Sequence, residues 1–395
     1  MARDAYDPLI GFLREIISIP SFTGREGACV PRIRREMLSL GYDEVKMDAM
    51  GNLLGRIGHG PRVIALDGHV DTVGVSDASA WQHDPFDATI ENGWLYGRGS
   101  ADQKAGLAAA VYAGARVKAA GLGDRLTLWV VASVHEEDDE GVAWQHLIEA
   151  EGLEPDAVIL TEPSDGMVKL GHRGRLEMEV VVSGLSCHGS APERGVNPIT
   201  ASSELALAIH RLNNRLHSDS PLGEGSIAVT EIKTTAPSLC AIPDQVVLHL
   251  DRRMTEGESA ATCMAEIHSL PEFDAEAMAL VIPEHGIETH IGCRKSMKAE
   301  YPAWRLPETH RLVRIAELAH DRVFEKSAKL GFWTFATHGV ATAGLYDIPT
   351  IGFGPGTEAM AHAVDERVSV EEVVKAVALY SELIVLWAED LCVIQ

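Results

Sequence analysis

Apolar and polar positions along this chain follow two different periods, and the period changes twice. From Asp7 to Ile17 the apolar residues Ile10, Leu13, Ile16 and Ile17 recur at helical spacing, which predicts an amphipathic helix. Gly27–Leu40 repeats that period and stops at Gly41, a residue type with which helices end. Short unbroken apolar runs follow: Val63–Asp67, Leu126–Val134 and Ala157–Leu160. Runs of that length, apolar at nearly every position, read as strands buried on both faces. Helical stretches separate them, Gly106–Ala119 and Val142–Ala150. Buried strands separated by helices predict an α/β domain with a mostly parallel sheet.

The middle has another rhythm. Leu176–Ser183, Ser226–Lys233, Gln245–Arg252 and Ala277–Ile282 read as strands, and Asn197–Leu216 and Gly257–Leu270 as helices. The order β-α-β-β-α-β is the ferredoxin-like arrangement. The first pattern then returns. Glu308–Lys326 is an amphipathic helix and Pro349–Phe353 a buried strand. Ser369–Ala388 is a closing helix in which Ser369 and Glu372 are spaced as a capping box. The prediction is a discontinuous α/β domain, 1–175 and 295–395, interrupted by a small α+β domain at 176–294.

Composition narrows the function. With 46% apolar residues the 395-residue chain can bury a large core. A net charge of −24 argues against a nucleic-acid binder, which needs basic surface against phosphate. No apolar run approaches the roughly 20 residues of a membrane span, so no membrane partner is expected. The charged start, MARDAYDPLIGFLREI, does not read as a secretory leader, so a cytoplasmic protein is expected. The six cysteines, Cys29, Cys187, Cys240, Cys263, Cys293 and Cys392, are scattered without a CxxC pair and read as reduced thiols. Cys187 precedes His188, but packing is a better reading than a Cys/His nucleophile.

Five segments carry candidate chemistry, most of them where a strand should end. Ligands bind at the carboxyl ends of strands in such sheets. Gly68-His69-Val70-Asp71 places an imidazole and a carboxylate on one side of a strand, where one can bind a metal and the other orient it. Asp102, after Gly97-Arg98-Gly99, sits just before a helix; alone it reads as an N-cap, in company as a carboxylate between two cations. His135-Glu136-Glu137-Asp138-Asp139-Glu140 follows a buried strand. Some of these acids are a solvated face, yet neighbours such as Glu136 and Glu137 point in different directions, one to a metal and one to water. Glu162 in Thr161-Glu162-Pro163 is again at a strand end, and His362 stands among alanines after Gly352-Phe353-Gly354-Pro355-Gly356. Either of the last two alone is an ordinary loop residue; the ordered set favours ligands.

In that order the segments closely resemble the M20 metallopeptidases, zinc-dependent amidohydrolases that include acetylornithine deacetylase, succinyl-diaminopimelate desuccinylase and aminoacylase. The resemblance runs from SIPSFTGREG at 18–27 to the closing helix. GRGSADQKAG, CHGSAPERG and FGPGTEAMAHAVDE are most similar to the YgeY-like branch. The resemblance implies roles. His69 and Glu162 would bind one metal, Glu137 and His362 the other, and Asp102 both. Asp71 would orient His69, Glu136 would be the general base, and His188 would polarise the substrate carbonyl from a partner subunit. It implies two divalent ions per subunit, Zn²⁺ or alternatively Co²⁺ or Mn²⁺. It also implies a homodimer through the inserted lid domain. The reaction would be hydrolysis of a small N-acyl or N-carbamoyl amino acid by a metal-bridging hydroxide. A dipeptidase or carboxypeptidase is the alternative, and a non-catalytic ligand-binding member the more distant one. Arg253 would fork onto a substrate carboxylate, or form a surface salt bridge. Gly354 and Gly356 would offer it backbone amides. Asn197 would contact substrate, or cap a helix.

Overall fold

The computed structural model describes residues 7–389, and Cys392 lies outside them. The chain divides into two units. The first comprises 1–171, 287–295 and 305–395, and the second 172–286 and 296–304.

The first unit is built on a sheet whose strands include β1 (Glu44–Met47), β2 (Leu53–Gly58), β3 (Arg62–His69), β4 (Leu126–Ser133), β5 (Ala157–Leu160), β6 (Val168–His172) and β7 (Thr350–Gly352). Their order is β1-β2-β4-β3-β5-β7-β6. The centre β4-β3-β5-β7 is parallel, as the unbroken apolar runs predict. The flanking pairs β1/β2, β2/β4 and β7/β6 are antiparallel. Helices α1 (Asp7–Ile17), α2 (Val30–Ser39), α3 (Lys104–Ala119), α4 (Val142–Glu149), α5 (Arg311–Phe324) and α6 (Val370–Ala388) complete it. Helix α3 packs on β3 and against α6, which also packs on α5.

Helix α3 shows why its sequence is rich in small residues. A Cβ on Gly106 would stand 2.1 Å from the carbonyl oxygen of Thr161, and one on Gly114 2.2 Å from Tyr42 Oη. Only glycine permits this approach, which brings the first turn of α3 to the end of β5. The expected capping box of α6 does not form. Ser369 is the N-cap but makes no side-chain cap bond. The Glu372 carboxylate instead accepts from Gly356 N at 3.0 Å.

The second unit has strands Gly174–Ser183, Ser226–Thr234, Gln245–Met254 and Met278–Val281, with helices Pro198–Asn213 and Ala260–His268. All their pairings are antiparallel, with the first strand between the third and fourth and the second on the edge beyond the third. This is the ferredoxin-like order the sequence predicts. Gln245–Met254 alternates buried and half-buried residues along its length, the mark of one covered face. Leu205, Ile209, Val246, Leu248, Cys263 and Ile267 meet in its core. Among the described residues no helix is long and apolar enough to cross a membrane.

Candidate active site

Three adjacent parallel strands of the first unit end in the acidic and imidazole residues. His69 is the last residue of β3, Glu136 and Glu137 follow β4, and Glu162 follows β5. Asp102 precedes α3, and His362 follows β7. Two sets of donors converge: His69, Asp102 and Glu162, and Asp102, Glu137 and His362, each within 4.8 Å. Asp102 belongs to both. Its Oδ1 lies 3.0 Å from His69 Nε2 and its Oδ2 3.4 Å from His362 Nε2. It is therefore not the N-cap of α3. That position is Gln103, with no side-chain cap bond, and the peptide joining the two is cis.

The rest of each set closes around this carboxylate. Glu162 Oε1 is 3.7 Å from His69 Nε2, and Glu137 Oε2 is 2.7 Å from His362 Nε2. Glu136 Oε2 stands 3.9 Å from His69 Nε2, and its Oε1 is buried with no hydrogen-bond partner. Glu162 Oε2 is equally buried and unpartnered. Burial pushes the carboxyls of Glu136 and Glu162 well above the ordinary range, and neighbouring negative charge adds to the effect. Burial together with the Asp102 charge takes Glu137 up to about 7. Burial opposes charge on His69, but Glu162, Asp102 and Glu136 outweigh it and hold the imidazole well above its ordinary value. Four acids around two imidazoles in low dielectric, with orphaned oxygens, suit divalent cations: carboxylate and imidazole are the donors that Zn²⁺ accepts.

Asp71 acts otherwise than the spacing suggests. The His69 Nδ1 partner is the backbone carbonyl of Asp71 at 2.8 Å, whereas the Asp71 carboxylate is 3.8 Å away. That carboxylate accepts from Glu136 N and Glu137 N, both at 3.1 Å, and from Thr23 Oγ1 at 3.0 Å. It holds the backbone of the two glutamates. The fixed Nδ1 bond leaves Nε2 of His69 as the atom that could ligate a cation.

Gly354 N donates to Ser164 Oγ at 3.2 Å and Gly356 N to Glu372 at 3.0 Å, so both amides expected to face a substrate carboxylate are engaged within the fold. In the second unit Arg253 presents its fork to Asp251 Oδ1 and Oδ2 at 2.8 and 3.0 Å, the salt-bridge reading. Asn197 is the N-cap of Pro198–Asn213, accepting from Ile199 N at 3.0 Å. His188 is exposed, and its Nδ1 accepts from Ser190 N at 3.1 Å, which places the neutral ring's proton on Nε2. Cys187 Sγ contacts Ala191 O at 3.5 Å.

Glu366 was not singled out by the sequence, although the quoted motif HAVDE contains it. It is fully buried. Its two oxygens accept from the backbone amides of Gly99, Ala101 and Asp102 at 2.8–3.0 Å and pair with Arg98 at 2.7 Å. This carboxylate shapes the loop that presents Asp102.

The sequence matches Peptidase family M20/M25/M40 over residues 65–385. It is 39% identical over 386 residues to the uncharacterized protein YgeY of Escherichia coli K12, covering 98% of this chain and 96% of that protein. It is 29% identical to a succinyl-diaminopimelate desuccinylase of Cereibacter sphaeroides, covering 96% and 98%. The fold is similar to that of the Bacillus subtilis YXEP protein, described as a dinuclear metal-binding peptidase. There the TM-score is 0.73 at 14% identity, covering 98% of this chain and 99% of that one.

Proposed function

The chain belongs to peptidase family M20/M25/M40 and is a metal-dependent hydrolase, and from that premise we propose that it cleaves the amide bond of a small N-acyl or N-carbamoyl amino acid with two divalent cations. The observation that carries the two-cation reading is Asp102, whose oxygens reach an imidazole on either side. His69 and Glu162 would hold one cation, Glu137 and His362 the other, with Zn²⁺, Co²⁺ or Mn²⁺ all suiting the donors. The full-length similarity to desuccinylases supports an acyl-amino-acid substrate.

When bound, the cations supply Lewis acidity and favour ionisation of water. Glu136 is the proposed base. Its orphaned Oε1 takes a proton from the attacking water and delivers it to the leaving nitrogen. Asp71 keeps that carboxylate in place by gripping the backbone at 136 and 137. The test is free-amine release from N-acetyl, N-succinyl, N-formyl and N-carbamoyl amino acids, with dipeptides alongside. We expect a hit in the acyl or carbamoyl set, lost with chelator and reduced about 10²–10⁴-fold by Glu136→Gln with metal content kept. Hydrolysis of dipeptides alone would replace this reading with an exopeptidase.

The chain is also proposed to act as a homodimer through the second unit. Ser226–Thr234 is an edge strand there, and Ile232 and Leu207 are exposed, at 55% and 59%. The donor to the scissile carbonyl would be the partner subunit's His188. Mixing Glu136→Gln chains with His188→Ala chains should then restore activity that neither variant has alone. A mixture as inactive as its parents would rule out action in trans.

A further inference from the structure

Gln103 follows the shared carboxylate and has no part in the scheme above. It is 1% exposed, and its side chain lies between two groups at the end of β5. Thr161 Oγ1 lies 2.6 Å from Gln103 Oε1 as donor, and its proton is shared with Asp67 O at 2.9 Å. The Glu162 carboxylate sets which end of the amide faces which neighbour, because an ionised carboxylate only accepts whereas the Thr161 hydroxyl can also donate. The amide nitrogen faces the other way and donates to Glu162 Oε1. Glu162 Oε1, which also lies 3.7 Å from His69 Nε2, is thus held, while Oε2 remains buried and unpartnered.

The other glutamate is treated alike. Glu137 Oε1 accepts from Val73 N at 3.1 Å, and its Oε2 faces His362. Each glutamate has one oxygen held by an N–H, which for Glu137 is the oxygen turned away from its imidazole and for Glu162 the one facing it. For Glu137 the donor is backbone; for Glu162 it is a side chain. The support behind that side chain is rigid. A Cβ on Gly68 would stand 2.8 Å from Thr161 Oγ1, and one on Gly354 2.0 Å from Thr161 O, so Thr161 is packed too closely to drift.

Resting on the ligand roles proposed above, we propose that Gln103 is a positioning residue: its amide fixes the orientation of the Glu162 carboxylate, whose Oε1 faces His69 at 3.7 Å, toward the cation those two residues would share. An amide donor on a metal-ligating carboxylate fixes its orientation and draws charge from it, and loss of such a partner typically weakens metal binding 10–100-fold. Without the amide, the Glu162 carboxylate would be free to turn, and cation binding would change at that position only.

The experiment is titration of Co²⁺ into the metal-free full-length protein, followed by calorimetry and by visible absorption. Wild type should take two equivalents. Gln103→Leu should weaken one of them about 10–100-fold and change its absorption band, leaving the other as before. Thr161→Val should act on the same equivalent to a smaller extent, and Thr161→Ser should behave as wild type. Unchanged isotherms and spectra would overturn the proposal. So would equal weakening of both equivalents with a lowered Tm, which is what mere structural damage produces. Fewer than two equivalents on wild type would overturn the two-cation reading separately, with Gln103 then judged on whichever equivalent remains. No Co²⁺ binding at all would overturn both.

Discussion

The two halves of the carboxylate–imidazole cluster have the same donors and different foundations. Each has one imidazole and one glutamate beside the shared Asp102. His69 ends a central strand, is fully buried and is fixed by a 2.8 Å bond to the Asp71 carbonyl. His362 sits on a loop with φ 60°, and its side chain is 52% exposed. The comparison teaches that, with the same donor types on both sides, any difference in affinity and exchange between two bound cations would come from the scaffold. A cation at His69 would be locked in, whereas one at His362 would exchange with solvent.

The most severe way to break this comparison is to remove what the halves share. Asp102→Ala should abolish binding of both equivalents and lower kcat/KM by about 10³-fold or more, read by metal analysis alongside kinetics. Retention of one tight equivalent would show that the halves are independent. The next step sharpens the contrast. His362→Ala should weaken one equivalent at least about tenfold and leave the Tm of the metal-free protein within about 2 °C. His69→Ala should weaken the other equivalent and also lower the Tm, because it opens a cavity at the end of β3. Equal Tm changes would mean that burial does not separate the halves. The smallest effect belongs to the second unit. Asn197→Ala removes a helix cap and should cost about 0.5–2 kcal/mol in denaturant unfolding, with KM unchanged. A tenfold rise in KM at constant stability would instead restore Asn197 as a substrate contact.

Much of the architecture was legible in the chain because burial writes itself as period. β3, β4 and β5 sit where unbroken apolar runs lie, since strands covered on both faces have no polar alternation. β1 and β2 were not found. Leu53-Leu54-Gly55-Arg56-Ile57-Gly58 is broken by glycine and arginine, yet it is buried between β1 and β4, and its glycines answer close approaches to Tyr42 and Leu126 that no local pattern shows. The donor cluster was legible from residue type and order. Its supports were not: Glu366 meets the Asp102 loop across a sequence separation of 264, and no local pattern encodes a contact at that range. Asp71 exposes the limit of alternation arguments. They gave its side, yet not that its carbonyl rather than its carboxylate would meet His69. Gly354 and Gly356 likewise read as open amides until the partners Ser164 and Glu372 came into view.

The grip of Glu366 on the loop before α3 has a consequence for biosynthesis. Asp102 leaves the ribosome 264 residues before the carboxylate that shapes its backbone. At about 5–20 residues per second the interval is roughly 15–50 s. β7, which enters the sheet between β5 and β6, arrives equally late. During that time the nascent first unit carries a set of acids without the loop geometry that joins them, while the second unit, nearly contiguous in sequence, can already fold. Maturation of the donor cluster is thereby tied to synthesis of residue 366, so a truncated chain ending before it retains most of the donor residues but lacks the carboxylate that shapes the Asp102 loop.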